Sequence, residues 1–367
     1  MIDKEKVLKF IEEIVNHGFK AYLVGGYVRN SLLNLPSTDV DVTTNATPKQ
    51  LMEIFPQSLP MEDYGAVTVF RRGIRFEIAT FRKEGEYINH RKPKEIKYID
   101  DLYQDLLRRD FTVNTICMDK DGQIIDLLDA KKDLKSKIIR AVGNPMQKLN
   151  EDSLRILRAI RFATLLGFDL DGDTKQAIIE NKKYLTDLSY ERKKEELDKI
   201  FSSSNAYRGI QLMLELGLDK DLGLKKLNEV GPTNNSIGIW AVLDVTDKYP
   251  FSNNEKELIE AISQAIRADN LDSASLYYYG LYPNTVAAKI KGIDLKVLTE
   301  KYAALPIHSR KELNISSEDI MRILGREPGS YLKDVYEMIE IEILYNRLEN
   351  DTDLIMEFIK SKCANVF

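Results

Sequence analysis

Apolar positions near the start of the chain recur at helical spacing, with Val7, Leu8, Ile11, Ile14 and Val15 on one face of MIDKEKVLKFIEEIV. The period then shortens. Residues 20–25 (KAYLVG), 38–43 (TDVDVT), 66–70 (AVTVF) and 74–81 (IRFEIATF) read as strands, and 123–128 (QIIDLL) as a further one. Arg71-Arg72-Gly73 supplies a turn between the third and fourth strands, so those two form a hairpin. Together these elements predict a small mixed or antiparallel sheet backed by helices. After about residue 145 helical periodicity takes over. Asn150-Glu151-Asp152-Ser153 precedes LRILRAIRFATLLG, whose Leu154, Leu157, Ile160, Ala163 and Leu165 form an apolar face and whose Gly167 fits a helix stop. Further helices are predicted at 174–184, 190–201, 206–216, 256–268 and 333–350, with loops at 231–235 and at Tyr249-Pro250. The pattern is that of an α+β protein, with a mixed-sheet head on an all-α remainder.

Composition narrows the class. A chain of 367 residues, 43% hydrophobic and 30% charged, is long enough for two or three globular domains and is not a disordered chain. Apolar runs stop well short of the roughly 18 residues a membrane span needs. The N-terminal stretch mixes both charge signs, unlike a signal peptide, and a cytoplasmic protein is expected. Cys117 and Cys363 are too few for a disulfide framework or a zinc site. His17, His90 and His308 are scattered, which leaves carboxylates as the expected catalytic groups. A net charge of −5 argues against a strongly basic nucleic-acid binder but leaves room for a local stripe of Lys and Arg.

Leu23-Val24-Gly25-Gly26 runs from a strand through two glycines into a helix carrying Arg29. Such a turn lets backbone N–H groups approach a phosphate, and Arg29 can add a charged hydrogen bond; by itself the pattern is more often that of an ordinary tight turn. Asp39-Val40-Asp41 places two carboxylates on one face of a strand, about 7 Å apart, a spacing suited to Mg²⁺ ions bridging nucleotide phosphates, or to a solvated strand end. Glu77, within the apolar run 74–81, either faces that pair from a neighbouring strand or pairs with Arg75 or Arg82. In the later helix Asp152, Arg155 and Arg158 follow one side, and Arg161 extends the row. A carboxylate accepts from the exocyclic amine shared by cytosine and adenine, while an arginine donates to the adjacent ring acceptor. Uracil and guanine present the opposite polarity, so one Asp/Arg pair can select CTP and ATP without a template. Glu151, four residues before Arg155, can orient its guanidinium. The alternative is an exposed charged stripe.

LVGGYVRN, DVDVTT, LLRRDFTVN and NEDSLRILRAIRF, in this order, resemble the successive motifs of the class II tRNA nucleotidyltransferase and bacterial poly(A) polymerase family. The resemblance continues through Ser189-Tyr190-Glu191-Arg192 to Gly217 and into LPIHSRKELNISSEDIMRILGREPG, with 222–306 least recognisable. It implies a polymerase-β-like nucleotidyltransferase head (1–140), then a base-recognising neck (141–205), a body (206–290) and a tRNA-binding tail (291–367), all helical. It further implies Gly26 and Arg29 at the nucleotide phosphates, Asp39 and Asp41 on Mg²⁺, Arg109 beside the nucleotide, and Asp152 and Arg155 on the base, with Arg158 and Arg161 facing base or triphosphate. The charged stretch RKEGEYINHRKPKEIKY resembles the loop the family uses in switching from C to A addition, and it is full length. Asn30 stands where the family usually has Asp, Asn89-His90-Arg91 where Asp-x-Arg is common, and NTICMD departs from the usual small-residue ending. The implied activity is addition of C, C and A to tRNA from CTP and ATP; poly(A) or A-only addition shares every motif, and a non-catalytic RNA-binding protein is the rival of a different class. Lys131, Lys132, Lys135, Lys137, Arg140, Arg310, Arg322 and Arg326 are candidate tRNA contacts.

Overall fold

The computed structural model describes residues 2–61, 65–88 and 92–363. The chain forms two compact units, Met1–Lys225 and Lys226–Phe367. In the first, helix α1 (Lys4–Asn16) is capped by Asp3 and buries Val7, Phe10, Ile11 and Ile14, the positions one turn apart. Phe10 stacks on Phe55 and Phe76 and so fixes α1 to the sheet. The sheet is built from β1 (Ala21–Val24), β2 (Val40–Thr44), β3 (Leu59–Met61), β4 (Ala66–Arg71), β5 (Ile74–Thr80), and the two-residue strands Cys117–Met118 and Ile124–Ile125 at its far edge. Between β1 and β2 lies α2 (Gly26–Leu32), and α3 (Pro48–Ile54) follows β2 with a Thr47/Gln50 capping box. Strand β2 lies antiparallel to β1 and parallel to β5, and β5 pairs antiparallel with β4. The predicted hairpin is present, with Arg72 and Gly73 both at positive φ in its turn, as a type I′ connection requires.

Two strand predictions change. The strand foreseen over 38–43 starts at Val40, where pairing with Phe76 of β5 begins; Thr38 and Asp39 pair with neither β1, which ends at Val24 opposite Asp41, nor β5. The strand foreseen over 123–128 shrinks to Ile124–Ile125, since the Asp126 carboxylate accepts from the Ala130 and Lys131 amides and turns the chain into a helix. After β5 the described residues 82–88 and 92–98 form a ribbon: Arg82–Glu84 pairs with Ile96–Tyr98, and Tyr87–Ile88 with Lys92–Pro93. Asn89-His90-Arg91 lies outside the described residues.

Helix α4 (Leu102–Leu107) leads to the Arg108-Arg109-Asp110 segment, and α5 (Ala130–Ser136) carries the lysines. The helical array then comprises α6 (Pro145–Glu151), α7 (Leu154–Leu166), α8 (Gly172–Asn181), α9 (Tyr190–Phe201), α10 (Ala206–Glu215) and α11 (Asp219–Leu222). Gly167 ends α7 in the left-handed region, as foreseen. Helix α7 is buried on most sides, including Arg155, Ile156, Ala159 and Phe162, whereas Leu165 is exposed, so a simple apolar stripe does not describe it. Asp152 is not helical: with φ −139° and ψ 105° it occupies the break between α6 and α7.

The second unit is helical: α12 (Ser236–Leu243), α13 (Asn253–Arg267), α14 (Ser273–Tyr279), α15 (Leu281–Lys291), α16 (Leu295–Ala303), α17 (Ser317–Leu324), α18 (Tyr331–Leu344) and α19 (Thr352–Phe358). Leu276, Ile307, Ile320, Val335 and Ile339 form its core. The helix foreseen over 333–350 stops at Leu344, with Asn346 at positive φ just beyond it. Among the described residues no helix is long and apolar enough to cross a membrane.

Candidate active site

Gly25 has φ 71°, and a Cβ there would lie 2.7 Å from Asp41 Oδ2. The Gly26 amide donates to the Asp41 carboxylate. The glycine pair therefore serves first to seat an acidic side chain against the backbone, although Gly26 also lines the recess in front of it. Gly25→Ala is expected to destabilise the fold by roughly 1–3 kcal/mol through strain at a positive φ. An unchanged urea midpoint would show that this close approach is not rigid.

Asp41 lies opposite Glu77 in the parallel β2/β5 register. Asp39 is exposed just before β2 and accepts from the Thr38 hydroxyl at 3.0 Å. All three carboxylates line one recess of about 320 Å³. Glu77 also pairs with Arg75 at 2.6 Å, so the structure holds both relations foreseen for it. Burial raises the Asp41 carboxyl above its ordinary range, Arg109 and the Gly26 amide oppose this, and Asp39 adds to it. A buried acid beside a second acid is a setting that a cation relieves. Among the described residues no three His, Cys, Asp or Glu side chains are arranged to hold a metal by themselves. The donor set instead matches Mg²⁺, which is commonly held by one or two carboxylates together with substrate phosphates.

The recess continues. Asp41 and Glu77 also line a second hollow of about 340 Å³ with Arg82, Arg108 and Arg109. Those three arginines in turn line a third hollow, of about 570 Å³, with Asp152, Arg155 and Arg192. The acidic end and the end lined by Asp152 and Arg155 are thus joined by a corridor of guanidinium groups. Arg108 Nε donates to Asp105 at 2.8 Å, and Arg109 lies 3.5 Å from the same carboxylate. Asp105 is fully buried and also accepts from the Thr43 hydroxyl and the Arg82 amide. Burial would raise its carboxyl, but Arg108 and Arg109 hold it below the ordinary range. Arg109 Nε is buried with no hydrogen-bond partner among the described residues, leaving a donor for something in the corridor. Sequence reading missed Asp105; its signal was the spacing of three and four residues before Arg108 and Arg109.

Arg155 is 7% exposed. Its Nη1 donates to Glu151 at 2.9 Å and to the Lys148 carbonyl at 2.7 Å, and its Nη2 to the Tyr87 hydroxyl at 3.0 Å. Glu151 therefore orients it, as its spacing suggested. Asp152 Oδ1 accepts from the Leu154 amide at 3.2 Å, and burial raises its carboxyl against the pull of Arg192 and Arg155. Three other arginines sit differently from expectation. Arg29 is buried rather than open to a phosphate: its Nη1 donates to Asn114 at 2.6 Å, its Nε and Nη2 to Asn30 Oδ1, and burial lowers it to about 10. Asn30 thus orients Arg29 without a charge, and its own amide holds the Pro36 carbonyl. Arg158 lines the large hollow, but its Nε and Nη2 pair with Asp110 at 2.7 and 2.6 Å. Arg161 turns to Glu196 at 3.1 Å and lies over the Phe162 ring. The row of arginines splits because successive i+3 steps drift around a helix of 3.6 residues per turn.

Of the candidate tRNA contacts, Lys131, Lys132, Lys135 and Lys137 are exposed. Arg140 pairs with Asp133 and Asp171, and Arg322 with Asp319. Arg310 is held by the buried Glu340, which also accepts from the Tyr277 and Tyr278 hydroxyls. Arg326 lies over the Tyr331 ring.

Residues 21–140 match the model of the poly A polymerase head domain, 167–222 that of a probable RNA and SrmB-binding site of polymerase A, and 241–359 a putative tRNA nucleotidyltransferase domain 2. The CCA-adding enzyme of Geobacillus sp. (strain WCH70) is 34% identical, over 97% of this chain and 96% of its own. That of Ligilactobacillus salivarius (strain UCC118) is 35% identical, again over 97% of this chain and 96% of its own. The crystal structure of the Bacillus stearothermophilus CCA-adding enzyme in complex with CTP aligns with a TM-score of 0.83 at 28% identity, covering 100% of this chain and 99% of that one.

Proposed function

The chain belongs to the CCA-adding enzyme family, and from this premise we infer that it adds C, C and A to the 3′ end of tRNA from CTP and ATP, releasing pyrophosphate. The observation that carries the assignment of residues is the corridor from Asp39 and Asp41 to Asp152 and Arg155. A nucleoside triphosphate lying along it would have its base at Asp152 and Arg155, its phosphates near Arg109, and its α-phosphate within reach of the carboxylate end. Arg109, whose Nε has no partner among the described residues, is the donor best placed for the triphosphate. Arg29 supports this wall from behind through Asn114, while Arg158 lines the hollow and is held by Asp110.

Asp39 and Asp41, with Glu77 beside them, would hold a pair of Mg²⁺ ions. When bound, they supply charge neutralisation on the triphosphate and make the attacking 3′-hydroxyl more acidic. Glu77 is positioned to take the hydroxyl proton or to complete the cation site. Asp152 accepts from the amine of C or A, Arg155 donates to the neighbouring ring nitrogen, and UTP and GTP are refused because two donors or two acceptors would meet. The lysines of α5 and the helical tail are proposed as the contacts to the tRNA backbone, and the cytoplasm, where tRNA is processed, as the site of action.

The test is incorporation into a tRNA transcript that lacks its 3′ terminal triplet. CTP alone is expected to add two residues, CTP with ATP three, and ATP alone no long tail. Long tails from ATP alone would assign the chain to the poly(A) branch instead.

A further inference from the structure

Arg192 is absent from every role described so far, yet it faces the base-reading end. It projects from α9, a different helix from Arg155, and its Nη2 lies 3.6 Å from Asp152 Oδ1. Its Nη1 is buried with no hydrogen-bond partner among the described residues, and both side chains line the hollow of about 570 Å³. The proposal drawn from this rests on the reading of Asp152 as the acceptor for the amine of C and A.

That reading has a chemical condition. An ionised carboxylate only accepts, but a protonated one donates, and a donor at this place would suit O4 of uracil or O6 of guanine. Selection therefore depends on the absence of a proton from Asp152. Its seat in the break between α6 and α7 is shielded from water and works against ionisation. On α7, Arg155 and Arg158 favour the charge, but Arg155 is engaged by Glu151, the Lys148 carbonyl and Tyr87, and Arg158 by Asp110. Glu195 on α9 and Glu84 on the ribbon line the same hollow and oppose it, while Arg108 and Arg109 after α4 favour it. Arg192 combines an ion-pair distance of 3.6 Å to Asp152 with a buried donor that has no partner among the described residues.

We propose that Arg192 is a fidelity residue: it keeps Asp152 ionised and aimed into the hollow, and thereby excludes UTP and GTP. It acts through Asp152 and is a positioning residue, not a catalytic one. Losing it should move the balance of Asp152 toward the acid, so that discrimination fails first at low pH and returns as pH rises.

The experiment measures kcat/KM for first-position CTP and UTP between pH 6 and 8.5, for wild type, Arg192→Gln, Arg192→Lys and Asp152→Asn. Arg192→Gln is expected to lower the CTP/UTP preference about 10-fold at pH 6, as a displacement of about one pKa unit would, with the loss shrinking toward pH 8.5. Arg192→Lys, which retains the charge, should stay close to wild type. Equal losses for CTP and UTP at every pH would reduce Arg192 to a structural or phosphate-binding role and overturn the proposal. Asp152→Asn, which places an amide donor at this edge, should relax the preference at all pH values; an unchanged preference would instead overturn the base-reading assignment. Arg192→Met offers the same comparison should the glutamine variant fail to fold.

Discussion

Asp41→Asn is expected to slow nucleotide incorporation by ~10²–10³-fold or more, the scale on which one preorganised charge-stabilising group is felt, without lowering the melting temperature. The two halves of this result come from the same geometry. Asp41 sits where Gly25 leaves β1 and directly beside Glu77 on β5, so its carboxylate cannot swing away from Asp39. Burial and Asp39 raise its carboxyl, which means that the folded state holds the ionised form at a disadvantage near neutral pH. Asparagine keeps the shape and the oxygen that accepts the Gly26 amide but removes that disfavoured charge. Activity should fall while the fold is unharmed or slightly firmer, the usual trade at a functional site. Addition of Mg²⁺ should raise the melting temperature of the wild type and leave that of the variant unchanged. Full incorporation by the variant would remove Asp41 from the chemistry.

Asp110→Ala is expected to cost ~3–5 kcal/mol, the range for breaking a buried ion pair from one side. Asp110 is 8% exposed and accepts from Arg158, from the Asn114 amide and from the Phe111 N–H. Asn114 in turn accepts from the buried Arg29, so one truncation leaves the Arg158 guanidinium without its anchor and frees the Asn114 amide that helps place Arg29. Burial by itself would raise the Asp110 carboxyl, but Arg158, Asn114 and the Phe111 amide hold it well below the ordinary range. The sign of the pH dependence follows: the contribution is fully present above the unfolded value of about 4 and is lost as pH falls through the lower folded value. The urea midpoints of wild type and Asp110→Asn should therefore differ most above pH 5 and draw together below about 4. A gap independent of pH would show that Asp110 acts through packing alone.

Local periodicity made much of the first unit legible. The β4/β5 hairpin was visible because two alternating runs flank a turn that tolerates positive φ. Helix α9 was visible from its amphipathic spacing. Helix α12, SIGIWAVL, was missed because it is apolar nearly all round and shows no stripe to count. Asp39 and Asp41 were readable as a pair, and Glu77 as a charged residue in an apolar run, since each is a conflict within a few residues.

What lay beyond the sequence were the meetings between distant segments. Whether Glu77 faces Asp41 depends on the parallel register of β2 and β5, which burial of the face carrying Ile74, Phe76 and Ile78 decides and which a slip of one residue would reverse. Arg29 and Arg161 looked like ligands for phosphate because a charge on a helix is the same letter wherever the helix points; packing turned one toward Asn114 and the other toward Glu196. Asp105 became evident when α4 set it beneath Arg108 and Arg109, and Arg192 when α9 brought it to the corridor. By itself the sequence determined most elements of the first unit, the family resemblance and the acidic pair, because these are written in short-range pattern. Tertiary structure alone decided which charges line the corridor and which hold one another, because a buried charge takes whichever partner the packing presents.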